Sequence, residues 1–324
     1  MACTGNPLTD PNIQELLDEI QEGIPLTENP FRSLGGSLGW TEKEVLSRLL
    51  ELKEIGVLLR VGPILDTHNL GYASTLAAIS SPFDEVKRLA ERVGRWMTVT
   101  HCYERKHRFN LWFTLTMRSN EELDQTIERC REMGEAKQLR DLRTVKKYKV
   151  DSRYPLRRKR FSPVPPRISA QPPQHNVLQL LALLAEGLEL IPRPFKRPAD
   201  SLGVTQEELL QQLSACMAAG YIRRISGVLS HRALGFRHHL LCIKEPPING
   251  PDSLAEALQD HVEISHIYLR EDKGQDHQVF CAMVHCRSEA HWLQLREKIP
   301  ILQTFQPLET TRCYKRSPFR LGIS

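Results

Sequence analysis

Two six-residue phrases carry the side chains best suited to chemistry: THCYER at 100–105 and SHIYLR at 265–270. Side chains alternate between the two faces of a strand, so His101, Tyr103 and Arg105 share one face, as do His266, Tyr268 and Arg270. Histidine can deliver a proton near neutral pH, and arginine can grip a carboxylate through two parallel N–H bonds. The same three types at the same spacing in both halves would floor a cavity with His, Tyr and Arg twice over. In the second copy Ile267 and Leu269 take the opposite face, as residues packed under helices would. A third histidine belongs to another repeated phrase. YIRRISGVLSHRALGF (221–236) echoes VLLRVGPILDTHNLGY (57–72), and the later copy has His231 where the earlier has Thr67. Arg60 and Arg224 match in the same register.

These phrases need elements to position them, and the elements also come twice. PNIQELLDEIQEG (11–23) and NVLQLLALLAEGL (176–188) space their leucines and isoleucines as helices do. A proline-rich bend follows each. Next come SLGWTEKEVLSRLLELKEIGVL and SLGVTQEELLQQLSACMAAGYI, with Thr41 and Thr205 as N-caps and Gly56 and Gly220 as stops. The strands LRVGPIL and RRISGVL follow, and a two-stranded wing in each half would complete a winged helix-turn-helix. After Gly71 and Gly235 each half reads β-α-β-β-α-β, the ferredoxin-like order. The fold class is therefore α+β, a tandem repeat of winged helix-turn-helix plus ferredoxin-like domains. The boundaries are 1–70 (winged helix), 71–150 (ferredoxin-like), 151–173 (Pro/Arg-rich linker), 174–234 (winged helix) and 235–324 (ferredoxin-like). The linker phrase RYPLRRKRFSPVPPR reads as an exposed connection. A ferredoxin-like sheet carries helices on one face only, so both polar triplets belong on the helix-free face. There the two halves can cover each other as an internal pseudo-dimer, which leaves room for a homodimer of the whole chain.

Composition narrows the class. With 324 residues and 40% hydrophobic content the chain can bury several cores, and its formal charge of +5 suits a polyanionic partner. No apolar run is long enough to span a bilayer, and the first residues lack the pattern of a secretory signal, so a cytoplasmic setting without a membrane partner is expected. The eight cysteines form no CxxC pair. That argues against a disulfide framework or a zinc ribbon and leaves no metal-ligand pattern, so most cysteines read as small buried hydrophobes.

Taken together, RRISGVLSHRALGF, THCYERKHRFNLWFTL and the order of modules resemble the siroheme decarboxylases of heme d1 biosynthesis in their fused D–L form, on an Lrp/AsnC-like architecture. The likeness covers nearly the whole chain apart from the linker. It implies an enzyme, a carboxy-lyase, that removes carbon dioxide from two acetate side chains of siroheme to give 12,18-didecarboxysiroheme. Siroheme is then the principal partner, with other heme d1 biosynthesis proteins as further ones. No separate cofactor is implied, because the iron tetrapyrrole is itself the substrate and its conjugated ring accepts the electrons that carbon dioxide leaves behind. Under this resemblance His101, His231 and, in reserve, His266 are candidate proton donors. Arg105, Arg224 and Arg270 would anchor carboxylates, with Tyr103 and Tyr268 as hydrogen-bonding partners. Trp112, with Phe109 and Phe113, would wall the site. The second half has REDKGQDHQVFCAMVH where the first has RKHRFNLWFTLT. One asymmetric site served by both halves is the expectation.

The alternative is an Lrp/AsnC-type DNA-binding transcriptional regulator that senses a small ligand. A recognition helix needs cations to meet phosphates. Residues 42–54 hold four acids against three bases, and residues 206–219 hold two acids and no base. DNA is therefore not the expected partner, and the enzyme reading is preferred.

Overall fold

The computed structural model describes residues 7–133, 138–158, 160–162, 171–244, 250–275 and 277–321. The first half runs α1 (Pro11–Glu22), α2 (Pro30–Leu38), α3 (Glu42–Glu54), β1 (Leu58–Leu65), β2 (Ala73–Ser80), α4 (Val86–Gly94), β3 (Val99–Arg105), β4 (Leu111–Met117), α5 (Asn120–Arg131) and β5 (Gln138–Val150). The second repeats it as α6 (His175–Ala185), α7 (Lys196–Leu202), α8 (Gln206–Ala218), β6 (Ile222–Leu229), β7 (Arg237–Lys244), α9 (Gly250–Gln259), β8 (Ile264–Asp272), β9 (Gln278–Cys286), α10 (Glu289–Lys298) and β10 (Pro307–Arg316). Thr41 and Thr205 cap α3 and α8 through reciprocal bonds with Glu44 and Glu208. No described helix is long and apolar enough to cross a membrane.

The chain divides into two compact units, and each takes its parts from both halves. One unit holds both helix-turn-helix segments. Its two strands differ from the expectation of a separate wing in each half: β1 pairs antiparallel with β6, so a single ribbon is shared. Neither half offers its strand a local partner, because the turn after β1 or β6 leads straight into the next sheet. The helices also cross over. α1 packs on β6 of the other half, where Ile24 N donates to Ile225 O at 2.8 Å, and Leu188, just after α6, donates its N–H to Val61 O of β1 at 2.7 Å. Gly227 makes the first contact possible, since a Cβ there would lie 2.9 Å from Ile20 side-chain atoms.

The arginine-rich stretch also departs from an exposed connection where it is described. Asp18, fully buried in α1, accepts the backbone N–H groups of Leu156, Arg157 and Arg158 at 2.8–2.9 Å. Gln21 clasps the Tyr154 backbone in both directions. Arg153 bonds Glu22 and lies over the Phe161 ring. Buried carboxylate and amide groups on α1 thus bind the segment to the helix, although its composition reads as solvated. Its residues 159 and 163–170 lie outside the described residues.

The other unit is a closed eight-stranded barrel in the order β10-β3-β4-β2-β5-β8-β9-β7. Each half supplies a four-stranded ferredoxin-like sheet, and the sheets join edge to edge along β5–β8 and β3–β10. Strand alternation sorts the side chains. Cys102, Phe113 and Leu115 pack with α4 and α5, while Ile267, Phe280 and Val284 pack with α9 and α10. On the opposite face, Ala78, Trp112 and Leu142 of the first half meet Leu240, Cys281 and Leu308 of the second in one apolar cluster inside the barrel.

Candidate active site

The barrel interior holds both triplets. Tyr103 stands opposite Trp112 across β3–β4, and Cys102 stands opposite Phe113. Since Cys102 and Phe113 are in the helix-covered core, His101, Tyr103 and Arg105 face inward with Trp112. By the same alternation His266, Tyr268 and Arg270 face inward from β8, where Tyr268 stands opposite Cys281. Phe113 therefore lies on the other face from Trp112 and walls nothing inside the barrel. Trp112 is buried there with Phe109 and donates its Nε1–H to Phe109 O at 2.7 Å.

Both strand histidines are held alike. The hydroxyl of the preceding residue engages Nδ1: Thr100 Oγ1 lies 2.9 Å from His101 Nδ1, and Ser265 Oγ lies 2.7 Å from His266 Nδ1. This puts Nε2 at the far side of each ring, and in His266 it meets Ser152 Oγ at 3.4 Å. Each ring neighbours the tyrosine two residues on, with centroids 6.2 Å apart for His101–Tyr103 and 6.1 Å for His266–Tyr268. Burial, and secondly the Arg316 guanidinium, lower the His101 pKa to about 4. Arg316 is the cross-strand partner of His101 on β10.

The arginines of the triplets are tied to the seams. Arg105, 3% exposed, donates Nη1–H to Leu308 O and Thr310 Oγ1, both at 2.9 Å. Arg270, 8% exposed, donates to Leu142 O at 3.0 Å and Thr144 Oγ1 at 3.1 Å. Each guanidinium lies over the tyrosine of its own triplet, at 5.4 Å for Arg105 and 4.5 Å for Arg270. Burial lowers the Arg105 pKa to about 10. These contacts join each half's second sheet strand to the other half's last strand.

His231 and Arg224 belong to the winged-helix unit. His231 is buried with its ring 6.3 Å from that of Tyr154, and Arg224 donates Nε–H to Ser226 Oγ at 3.1 Å within β6. The structure thus brings seven of the nine candidate residues, the two triplets and Trp112, into one barrel and places His231 and Arg224 in the other unit.

Sequence reasoning missed three features. Thr100 and Ser265 were visible as a hydroxyl residue before the histidine in both copies. Arg316 was visible as RCYKR in the last strand, where the first half ends KKYKV. His285, whose Nε2 lies 2.5 Å from Ser265 Oγ, had no counterpart to flag it. Among the described residues no group of three or more His, Cys, Asp or Glu is placed to hold a metal ion, and the described cysteines are all free. Cys3 lies outside the described residues.

Comparison with known proteins fits this architecture. The model of the AsnC-like ligand binding domain matches residues 69–149 and 233–317, and that of the siroheme decarboxylase NirDL-like HTH domain matches 14–58 and 178–223. A siroheme decarboxylase of Hydrogenobacter thermophilus is 29% identical over 310 residues, covering 93% of this chain and 92% of that protein. The siroheme decarboxylase NirD subunit of Pseudomonas aeruginosa is 40% identical over 144 residues, which is 44% of this chain and 94% of the subunit. The crystal structure of the siroheme decarboxylase NirDL superposes with a TM-score of 0.72 at 26% identity, over 96% of this chain and 94% of that one. The same protein in co-complex with an iron-uroporphyrin III analogue gives a TM-score of 0.71. Matched in order from the first helix-turn-helix to the last barrel strand, the chain belongs to the siroheme decarboxylase family.

Proposed function

We propose that the protein decarboxylates two acetate side chains of siroheme, giving 12,18-didecarboxysiroheme. The observation that carries this reading is the mirrored pair His101 and His266. Each is held at Nδ1 by a hydroxyl and lies beside a tyrosine, in a chain akin to siroheme decarboxylases along its length. As carbon dioxide leaves an acetate, the electrons of the broken C–C bond enter the conjugated macrocycle. The methylene carbon then takes a proton from a histidine and becomes a methyl group. The macrocycle is the electron sink, so no further cofactor takes part. His101 and His266 serve as proton donors in the barrel, and His231, in the other unit, is the third candidate that the variants below test. Arg105 and Arg270 anchor carboxylates, joined beside His101 by Arg316, its cross-strand partner on β10. Tyr103 and Tyr268 supply hydrogen bonds, and Trp112 an apolar wall that favours loss of neutral carbon dioxide.

The test is to titrate the protein with siroheme by its Soret band and follow both decarboxylations in His101→Ala, His231→Ala and His266→Ala. The expected result is a specific Soret shift in all four proteins. Loss of one or both steps should reach about 10²-fold, the usual scale of positioned acid catalysis. No Soret shift in the unaltered protein would overturn the substrate. Normal turnover in all three variants would overturn the histidine assignment.

A further inference from the structure

We propose that His285 is a positioning residue for His266, acting through Ser265. The inference rests on the reading of His266 as a proton donor. Ser265 Oγ lies between two imidazoles, 2.7 Å from Nδ1 of His266 and 2.5 Å from Nε2 of His285. Its other neighbour, Met283 O, is 3.5 Å away and competes poorly for the hydroxyl proton. Ser265 is 1% exposed and His285 4%, so the chain is shielded from water. The His238 ring meets His285 edge-on at 4.3 Å and 79°, and His285 N donates to Glu263 O at 2.8 Å, which holds the residue's backbone in place.

A hydroxyl has one proton to give. With His285 Nε2 accepting it, Ser265 Oγ is left to accept Nδ1–H from His266. His266 then keeps a proton on Nδ1 both before and after it delivers one from Nε2. The acid is the imidazolium, its conjugate base is the Nδ1–H tautomer, and neither Ser265 nor His285 has to reorganise during the transfer. Free imidazole side chains in water prefer Nε2–H, so the arrangement imposes a measurable departure. The first half lacks it. Ser74 stands opposite Thr116 as His238 stands opposite His285, so threonine occupies the matching position, and Thr100 bonds Thr114 Oγ1 at 2.7 Å instead. His285 thus belongs to the specialisation of the second half.

The experiment compares the full chain with Ser265→Ala, Ser265→Thr and His285→Phe. It reads the His266 tautomer by ¹⁵N NMR on histidine-labelled protein, together with kcat and KM for siroheme. The unaltered protein and Ser265→Thr, which copies Thr100, should show neutral His266 as Nδ1–H. Ser265→Ala and His285→Phe should revert to Nε2–H and lose about tenfold in kcat, a part of the 10²–10⁴-fold that a positioned acid contributes, with little change in KM. An unchanged tautomer in either variant overturns the inference. If His285→Phe does not fold, His285→Leu takes its place with the same reversion expected, since Ser265→Ala by itself tests only the Ser265–His266 bond. Normal turnover in His266→Ala would overturn the catalytic reading alone, because the tautomer measurement tests the His285–His266 link without reference to activity.

Discussion

In the protein without substrate, His101 is neutral at pH 7, because burial and then Arg316 hold its pKa down at about 4. A neutral imidazole is a poor acid, so the proton-donor role proposed for His101 requires substrate to raise that value. A polycarboxylate does so by placing negative charge beside the ring and by neutralising Arg316. Two results follow at this scale. Arg316→Gln should raise the His101 pKa in an NMR titration while leaving it below the ordinary value, since burial is the larger cause and persists. The acid-group pKa seen in kcat should also lie above that seen in kcat/KM, because the first reports the complex and the second the free enzyme. Equal values would mean that His101 is not the titrating donor. The sign for stability is the reverse of a salt-bridged histidine. Unfolded His101 binds protons more readily than folded His101, so its contribution to stability is lost as pH falls from about 6.5 towards 4. The triplets themselves could be read from sequence because strand alternation is local. Their surroundings could not: Arg316 reaches His101 only through a pairing between residues far apart in the chain.

Among the elements, α1 carries an unexpected load. It bears helical spacing in the sequence, and that much was legible. The buried side chains Asp18 and Gln21 are the part that composition hid, and their partners lie more than 130 residues away. The arginine-rich stretch reads as solvated because nothing local contradicts it, yet Tyr154, Phe161 and Arg153 are buried. Asp18→Ala removes one acceptor serving three N–H groups and should destabilise the winged-helix unit by about 2–4 kcal/mol, given the usual value of bonds to a charged acceptor. The check is the urea midpoint, together with tryptic cleavage at Arg153, Arg157 and Arg158, which should become rapid. An unaltered midpoint with the arginines still protected would show that the segment docks by its apolar contacts alone. The shared ribbon was hidden in a similar way. LRVGPIL and RRISGVL were identifiable as strands, but nothing in either phrase says that its partner is the other.

At the scale of the molecule, neither half is a folding unit of its own. The ribbon needs β1 and β6, and the barrel closes only through β5–β8 and β3–β10. Fragments 1–170 and 171–324 expressed separately should be poorly soluble or self-associated. Co-expressed, they should form a stable one-to-one complex that binds siroheme. Two well-behaved monomers with no mutual affinity, measured by sedimentation, would contradict the pairing. The doubled order of modules was plain from repetition, since each half spells the same sequence of elements. Edge-to-edge closure was not, because a helix-free face can be covered by stacking as readily as by rolling up.

The seams also set a timetable. β3 waits for β10, which lies some two hundred residues downstream, as the bond from Arg105 to Leu308 records. A nascent first half therefore leaves the ribosome with both barrel edges and β1 unpaired, and at bacterial-to-eukaryotic elongation rates that interval lasts roughly 10–30 s. During it, a neighbouring first half on the same message offers the same two edges. Slow translation of the second half should accordingly favour exchanged dimers over closed monomers, and codon changes confined to residues after 171 should shift that ratio without altering a single side chain.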